Sequence, residues 1–397
     1  MRYERAYVPS HGAWSSPFVR WQGPLAEVSS LDLVVYVTRR ALQDRGVPPH
    51  EISQLVLGWT VPQQGSFYGA PTVAGRIGAP GVTGPMVSQA CATSIAAVSI
   101  AASALESGDD GLHLALLTDR TSNGPHIVYP SPSNRGGTVR SEDWVMDNFA
   151  CDPWAGEAMV RTAENVAAET GITRDEMDQV TLLRYEQYQR ALEDDRAFQR
   201  GYMVPVEIPQ TKGDPLVIAE DVGIYPTTRE SLANLRPVEP GGLVTFGSQT
   251  HPADGTAGIL VCGEGRARAL SQGEGIVRIL ASAFARVEKA RMPKAAVPAA
   301  RRALSDAGLR FADLDAITTH NPFAVNDIYF SQETSIPLED VNLWGCSLVY
   351  GHPQGPTGAR AIAELIETLR FRGGGTGLFT GCAAGDTGAA MIVRVED

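Results

Sequence analysis

Three residues in separate parts of the chain are of the types that covalent acyl transfer requires. Cys91 lies in VSQACATS (87–94), His352 in YGHPQGPTG (350–358) and Cys382 in FTGCAAGDTG (379–388). A cysteine ahead of a helix is stabilised as a thiolate by unpaired N–H groups and the helix dipole, which lowers its pKa. A histidine whose pKa lies near ambient pH can accept the thiol proton. The sequence therefore predicts Cys91 as nucleophile, His352 as its base and Cys382 as a candidate acid and base.

Each of these residues also has a structural interpretation. A lone cysteine is more often a small packing residue than a nucleophile, and this alternative applies to both Cys91 and Cys382. His352 fits a solvent-exposed turn equally well. His320, in TTHNPF (318–323), could donate a hydrogen bond to a carbonyl oxygen that develops negative charge, or could be structural.

A repeat relates the two ends of the chain. The segment RRALQDRGV (39–47) recurs as RRALSDAGL (301–309), an offset of 301 − 39 = 262 residues. The same offset places Cys91 opposite Pro353, the neighbour of His352, and Cys382 opposite Arg120. We therefore expect two similar halves that share one site.

Both halves alternate short apolar strands with amphipathic helices, which is typical of α/β layers with a mostly parallel sheet. The first half has predicted strands at 54–59 and 112–117 around a helix at 92–106. That helix is apolar nearly all round and should be buried between sheets. The second half has predicted strands at 314–319 and 377–380 around a helix at 358–370. The fold class is α/β.

Residues 119–249 interrupt this alternation. They are richer in proline, glycine and charge, and Thr173 with Glu176 forms a capping-box pattern for a helix that we expect to run to about Arg196. An insertion of this length inside a domain is more often a functional element than a disordered loop. We therefore divide the chain into 1–118 (completed by about 240–270), a loop domain at 119–249 that covers a ligand, and 271–397.

Composition excludes several function classes. A formal net charge of −12 disfavours nucleic acid and anionic membranes as partners. The five cysteines are scattered without paired spacing, which disfavours a disulfide framework and a zinc site, so no metal is expected. The N-terminal residues lack a signal-peptide pattern and no apolar stretch is long enough to span a bilayer. A cytoplasmic protein with reduced thiols is expected.

Several stretches, in the right order, resemble the thiolase family from end to end. YGHPQGPTGAR (350–360) resembles the family's GHPxGxSGAR block, and GCAAGDTG (381–388) resembles its CxGGGxG block. Segments 118–126, 161–178 and 232–258 also match. The resemblance implies that Cys91 is acylated, that His352 activates it and that Cys382 acts as acid and base. It also implies a five-layer αβαβα sandwich of two duplicated halves with an inserted loop domain.

The chain departs from the family pattern within the expected pocket. Cys-x-Ser-Gly is replaced by CATS (91–94), and Asn-Glu-Ala-Phe by HNPF (320–323), which resembles the His-Asp-Cys-Phe form of the sterol-carrier-protein type. His320 and Asn321 are therefore alternative oxyanion donors. The resemblance further implies that Thr250, Gly351 and Gly385 bind substrate. These departures affect substrate choice more than reaction type.

The activity implied by the resemblance is transfer of an acyl group between acyl-CoA units, forming or cleaving a carbon–carbon bond through an acyl-Cys91 intermediate. Coenzyme A thioesters would be substrates, with no tightly bound cofactor, and the protein would be a homodimer or homotetramer. Two alternatives are a related condensing acyltransferase with an unusual acceptor and a non-catalytic acyl-CoA-binding subunit of a complex. The first alternative would tolerate loss of Cys382, and the second would form no acyl-Cys91.

Overall fold

The first half of the chain begins with short strands and then alternates helices and strands as its pattern predicts. A computed structural model describes residues 1–133, 135–210 and 212–396. Its first elements are β1 (Tyr7–Pro9), β2 (Ala13–Ser15), β3 (Val19–Arg20), α1 (Ser30–Asp44), β4 (Ile52–Gly58), α2 (Gly69–Ile77), β5 (Met86–Val87), α3 (Thr93–Glu106) and β6 (Leu112–Arg120). The side chain of Ser29 caps α1 by accepting a hydrogen bond from the N–H of Leu31.

Among its described residues, the middle of the chain forms short strands and five helices. These are β7 (His126–Tyr129), β8 (Arg140–Asp143), α4 (Met146–Ala150), α5 (Met159–Thr170), α6 (Arg174–Ala191), α7 (Glu193–Arg200), β9 (Val206–Ile208), β10 (Leu216–Ile218) and α8 (Arg229–Ala233). The capping box of Thr173 and Glu176 is confirmed at the start of α6. The expected end near Arg196 is wrong, because α6 ends at Ala191, and the positive φ angles of residues 194–196 lie within α7.

The rest of the chain adds one more strand to the first half and then repeats the order of that half. Its elements are β11 (Ala253–Val261), α9 (Glu264–Ser271), β12 (Ile276–Arg286), α10 (Ala296–Ala307), β13 (Ala316–His320), α11 (Ala324–Thr334), α12 (Ser347–Tyr350), α13 (Gly355–Phe371), β14 (Gly375–Ala383) and β15 (Thr387–Glu396). Helix α13 begins 355 − 93 = 262 residues after α3. In each half a parallel pair frames this helix, β4 with β6 and β13 with β14.

Two mixed sheets form the second and fourth layers. The first has the strand order β2-β11-β6-β4-β5, with β3 also paired to β11, and the second has the order β1-β12-β15-β14-β13. Strand β11 follows the middle segment in sequence yet lies in the first sheet. Strand β1 pairs with β12 in the second sheet. The first residues of the chain therefore pack with the second half, although the predicted division assigns them to the first.

Helices occupy the remaining three layers. The central layer contains α3 and α13, which contact each other and share one buried core between the sheets. Helices α1 and α2 cover the outer face of the first sheet, and α10 covers the outer face of the second. The predicted α/β sandwich of five layers is confirmed. Among the described residues, no helix is both long and apolar enough to cross a membrane.

The middle segment packs onto the second half through a buried ion pair. Helix α6 contacts α11 and α12, and α5 contacts α11. Arg184 of α6 donates from Nε to Asp327 of α11 over 2.8 Å, and both side chains are almost completely buried. Breaking such a pair leaves an uncompensated buried charge at a cost of about 3–5 kcal/mol. The ion pair therefore fixes α6 against the helix that follows β13.

Candidate active site

Cys91 lies on a turn between β5 and α3, one residue before the N-cap Ala92. The preceding Ala90 has a φ of +46°, a sparsely populated conformation for a residue with a side chain. Thr93 holds this turn by accepting from the N–H of Gln89 over 2.8 Å and donating to the carbonyl of Ala90 over 2.6 Å. The turn therefore holds Cys91 immediately before the N-terminus of α3.

His352 reaches Cys91 from the equivalent loop of the second half. Its Nε2 atom lies 3.1 Å from the Sγ atom of Cys91, and its Nδ1 atom lies 2.7 Å from the hydroxyl of Thr357 in the first turn of α13. The backbone N–H of His352 donates to the carbonyl of His251 over 2.9 Å. These contacts fix both the ring and its backbone, so the pair has the geometry of a nucleophile and its base.

Burial sets the protonation states of this pair. It raises the pKa of Cys91 to about 11, although the N–H groups of Ala384 and Cys91 itself act in the opposite direction. Burial, and then the nearby His320, hold the pKa of His352 well below its usual value. The expected thiolate with a lowered pKa, and the expected histidine pKa near ambient pH, are therefore wrong. Desolvation outweighs the helix start, and the resting pair is a neutral thiol and a neutral imidazole.

Cys382 lies near the end of β14, under the loop that contains Ala384. Its Sγ atom accepts a hydrogen bond from Nδ2 of Asn326 in α11 over 3.1 Å. Burial and then the charge of Cys91 raise the pKa of Cys382, whereas Asn326 lowers it. Sequence reasoning missed Asn326. In the sequence it is marked only by its position three residues after Phe323. In the structure its Oδ1 atom accepts a hydrogen bond from the backbone N–H of Phe323, at the start of α11.

His320 ends β13 and stacks beside His352, with ring centroids 4.1 Å apart. Its Nδ1 atom lies 2.9 Å from the hydroxyl of Ser347, another residue that sequence reasoning missed. Its Nε2 atom is buried and has no hydrogen-bond partner among the described residues. A buried polar atom of this kind requires an explanation, and a substrate oxygen would supply one.

The side-chain amide of Asn321, the alternative oxyanion donor, is already hydrogen-bonded within the protein. Its Nδ2 atom donates to Asp327 over 2.6 Å, and Asp327 is the carboxylate that pairs with Arg184. The amide therefore faces the interface with α6. Of the two candidates, only His320 has a free polar atom.

The same residues form a cluster of metal-ligand types. The ligand atoms of Cys91, His320 and His352 all lie within 4.8 Å of one another. Thiolate and imidazole are the groups that zinc prefers. The expectation of no metal stays a prediction.

A buried carboxylate aligns the two halves beneath this site. Asp119, near the end of β6, accepts hydrogen bonds from the N–H groups of Thr60 (2.7 Å), Val61 (2.9 Å) and Gly355 (2.9 Å). Burial raises its pKa to about 7. Because Gly355 begins α13, Asp119 joins the loop after β4 to the helix that follows His352. Sequence reasoning missed Asp119, because no motif marked it as chemically active.

Two departures from the expected motifs also make contacts between segments. Ser94 accepts from the N–H of Ala359 over 2.8 Å and donates to the carbonyl of Gly355, so the serine joins α3 to α13. Asp386 accepts from the N–H groups of Ala290 and Arg291 over 2.9 and 2.8 Å. The altered residues therefore hold the backbone that surrounds the thiols.

A cavity of about 630 Å³ opens onto Cys91 and His352. Thr250 lines it, whereas Gly351 and Gly385 do not, so substrate contact by these two glycines stays a prediction. Its apolar lining includes Trp144, Phe149, Met159, Phe246, Met292 and Phe323. Three of these come from the middle segment between residues 140 and 160. The cavity has the size and apolar character of small-molecule sites.

Comparison with known proteins identifies the family. A family model for the thiolase N-terminal domain matches residues 12–265, and one for the thiolase C-terminal domain matches residues 274–395. The chain belongs to the thiolase family. It is a thiolase-type acyltransferase, and the thiolase likeness of the sequence is confirmed.

Two acetyl-CoA acetyltransferases are similar to this thiolase family member over nearly all of their length. The protein from Allochromatium vinosum is 31% identical, and the alignment covers 94% of this chain and 95% of the relative. The protein from Chromobacterium violaceum is 32% identical with the same coverage. The crystal structure of the Bacillus anthracis acetyl-CoA acetyltransferase covers 100% of both chains with a TM-score of 0.90 and 27% identity.

Proposed function

We propose that the protein forms or cleaves a carbon–carbon bond between acyl-CoA units through an acyl-Cys91 intermediate. The observation that carries this proposal is the 3.1 Å contact between Cys91 Sγ and His352 Nε2 at the base of a cavity. The names of the acetyl-CoA acetyltransferase relatives support coenzyme A thioesters as the substrates. The apolar lining supports binding of the uncharged acyl and pantetheine parts of such a molecule.

In the first half-reaction, His352 takes the proton of Cys91 as sulfur attacks the thioester carbonyl. The coenzyme A thiolate leaves and takes the proton of Cys382, which becomes a thiolate, while His352 keeps the former Cys91 proton on Nε2. General-base assistance of this kind contributes about 10²–10⁴-fold to a rate. The backbone of Ala384 and of Cys91 already hydrogen-bonds Sγ, and we assign these N–H groups as donors to the oxygen of the acyl-enzyme.

In the second half-reaction, Cys382 removes a proton from the α-carbon of a second acyl-CoA. The resulting enolate oxygen accepts hydrogen bonds from Nε2 of His320 and from protonated Nε2 of His352, and its carbon attacks the acyl-Cys91 carbonyl. The bond from that carbonyl carbon to Cys91 Sγ breaks, and the Cys91 thiolate takes its proton back from His352. Asn326 supports this role because its Nδ2 hydrogen bond stabilises the Cys382 thiolate relative to the thiol. His320 is preferred over Asn321 because Asn321 is bonded to Asp327.

Intact-mass measurement after incubation with acetyl-CoA and longer acyl-CoAs tests the covalent intermediate. Wild-type protein and the variant Cys151→Ala, which lacks an exposed cysteine, should gain one acyl group. The variant Cys91→Ala should gain none. An adduct that survives Cys91→Ala, or its absence from wild-type protein with every donor, would contradict the proposal.

We also propose a homodimer or homotetramer in the cytoplasm. Strand β5 lies at the edge of the first sheet, and an edge strand exposes unpaired backbone groups unless it is covered. Phe67 and Tyr68, at the start of α2, are 80% and 69% exposed. Light scattering after gel filtration measures the mass, and a mass of 42.3 kDa would contradict the oligomer. The five free cysteines support a reducing compartment.

A further inference from the structure

The hydroxyl of Ser347 lies among three polar atoms at the back of the site. Its Oγ atom is 2.9 Å from Nδ1 of His320, 3.4 Å from the backbone nitrogen of Asn321 and 3.3 Å from Oδ1 of Asn321. Ser347 is buried as the first residue of α12, and its carbonyl accepts a hydrogen bond from Thr250, which fixes its backbone. The hydroxyl therefore has only these polar atoms as hydrogen-bond partners among the described residues.

Hydrogen-bond accounting decides where the serine proton goes. The hydroxyl has one proton, and the N–H of Asn321 can only donate to it, so the proton is directed to His320 Nδ1 or to Asn321 Oδ1. Hydrogen bonds between oxygens are normally about 2.5–3.0 Å long. The 3.3 Å contact to Oδ1 lies outside that range, whereas the 2.9 Å contact to Nδ1 is of ordinary length. The proton is therefore directed to Nδ1.

The consequence concerns the other nitrogen of the ring. His320 is buried and the Ser347 hydroxyl beside its Nδ1 atom is uncharged, so the ring is neutral and carries one proton on one nitrogen. When Nδ1 accepts from Ser347, that proton must be on Nε2. Nε2 is the buried atom without a partner among the described residues, so it becomes a free donor beside Cys91 and His352.

We propose that Ser347 is a positioning residue that keeps the proton of neutral His320 on Nε2. His320 is thereby held as a hydrogen-bond donor to the enolate oxygen, since the opposite tautomer would present a lone pair and repel that oxygen. The use of this donor rests on the function proposed above, whereas the tautomer itself does not. Ser347 acts through His320 and does not touch the reacting atoms.

The tautomer can be measured in the resting protein. Solid-state nitrogen NMR of protein labelled with ¹⁵N-histidine distinguishes protonated from unprotonated ring nitrogens, and a His320→Asn difference spectrum assigns the signal. Wild-type protein should show a protonated Nε2 and a hydrogen-bonded, unprotonated Nδ1. Ser347→Ala should lose this preference. A wild-type His320 protonated on Nδ1 overturns the proposal without any variant, and so does an unchanged tautomer in Ser347→Ala.

Kinetics give a second measurement with a matched control. Ser331→Ala also deletes a hydroxyl, which donates a 2.7 Å hydrogen bond to the carbonyl of Ile336 and lies away from the site. This control variant should keep the wild-type kcat. Ser347→Ala should lower kcat by at least about 10-fold with little change in KM, up to the 10²–10³-fold cost of deleting one oxyanion donor. Acylation of Cys91 should survive, because it does not use the enolate. A wild-type kcat in Ser347→Ala overturns the proposal.

This design separates the two hypotheses. Absence of acyl-Cys91 in wild-type protein contradicts the proposed function and leaves the tautomer measurement valid. A normal acyl-enzyme with an Nδ1-protonated His320 contradicts only the role of Ser347.

Discussion

The Nε2 atom of His352 lies 3.1 Å from the Sγ atom of Cys91, although 261 residues separate them in the chain. Each residue is on the loop before one of the two central helices, α3 and α13. Because these helices are equivalent elements of the two halves and contact each other, the internal repeat brings nucleophile and base together.

Replacement of Gly351 should impair catalysis through the position of His352. Gly351 has a φ of +90°, and a Cβ atom there would lie 2.6 Å from Nε2 of His251, the residue whose carbonyl holds the backbone of His352. Gly351→Ala should therefore lower the rate of Cys91 acylation by about 10²-fold or more, since misplacement by about 1 Å can have that effect.

Gly65→Ala is the matched control for Gly351→Ala. Gly65 also has a positive φ, +79°, but a Cβ there would meet nothing within 4 Å. The control variant should be mildly destabilised and should acylate normally. An acylation rate of Gly351→Ala equal to that of Gly65→Ala, measured by rapid-quench mass spectrometry, would contradict the role of the contact with His251.

The pH dependence of Cys91 chemistry should reflect the neutral resting pair. The pKa of Cys91 is about 11, so the rate of alkylation by iodoacetamide should continue to rise with pH beyond the ordinary thiol value of 9.0. Protonation of His352 requires a pH well below 6.5, so lowering the pH to 6.5 should not remove the base, and acylation should show no inflection there.

Peptide mass spectrometry separates alkylation of Cys91 from that of the exposed Cys151. An alkylation rate at Cys91 that becomes constant below pH 9.0 would indicate a stabilised thiolate and an imidazolium partner instead of the neutral pair.

Zinc should bind at the catalytic cluster and block it. The ligand atoms of Cys91, His320 and His352 lie within 4.8 Å of one another, and small ring movements would give three of the four ligands of a tetrahedral site. Stoichiometric Zn²⁺ should protect Cys91 from alkylation and inhibit acylation, and EDTA should reverse both effects. The variant His320→Asn should need more zinc. Unchanged alkylation of Cys91 in the presence of bound zinc would place the metal elsewhere.

Removal of the Asp119 carboxylate should destabilise the joint between the halves. Asp119→Ala leaves the buried N–H groups of Thr60, Val61 and Gly355 without their acceptor, and each orphaned group costs about 1–3 kcal/mol. The urea midpoint of unfolding should fall clearly, and acylation should slow because α13 positions Thr357 against His352. Asp110→Ala, which removes an exposed carboxylate, is the control. Equal urea midpoints for the two variants would contradict this role.

The sequence alone predicted the duplication and the α/β alternation, whereas the five layers were implied by the resemblance to the thiolase family. The repeated segments at 39–47 and 301–309 indicated duplication, and alternation of apolar strands with helices indicated α/β layers. These inferences succeeded because hydrophobic period and motif spacing are local properties of a chain. They were weaker at element ends, since α6 ends at Ala191 rather than near Arg196.

Only the tertiary structure decided the protonation states and the partners of the site residues. The raised pKa of Cys91 arises from burial by many segments, and no single stretch of sequence reveals that desolvation. Asn321 is turned away from the pocket by Asp327, whose charge is in turn paired with Arg184 about 140 residues earlier in the chain. Ser347 and Asp119 likewise act on residues that the fold brings to them, because hydrogen bonding depends on distances in space rather than along the chain.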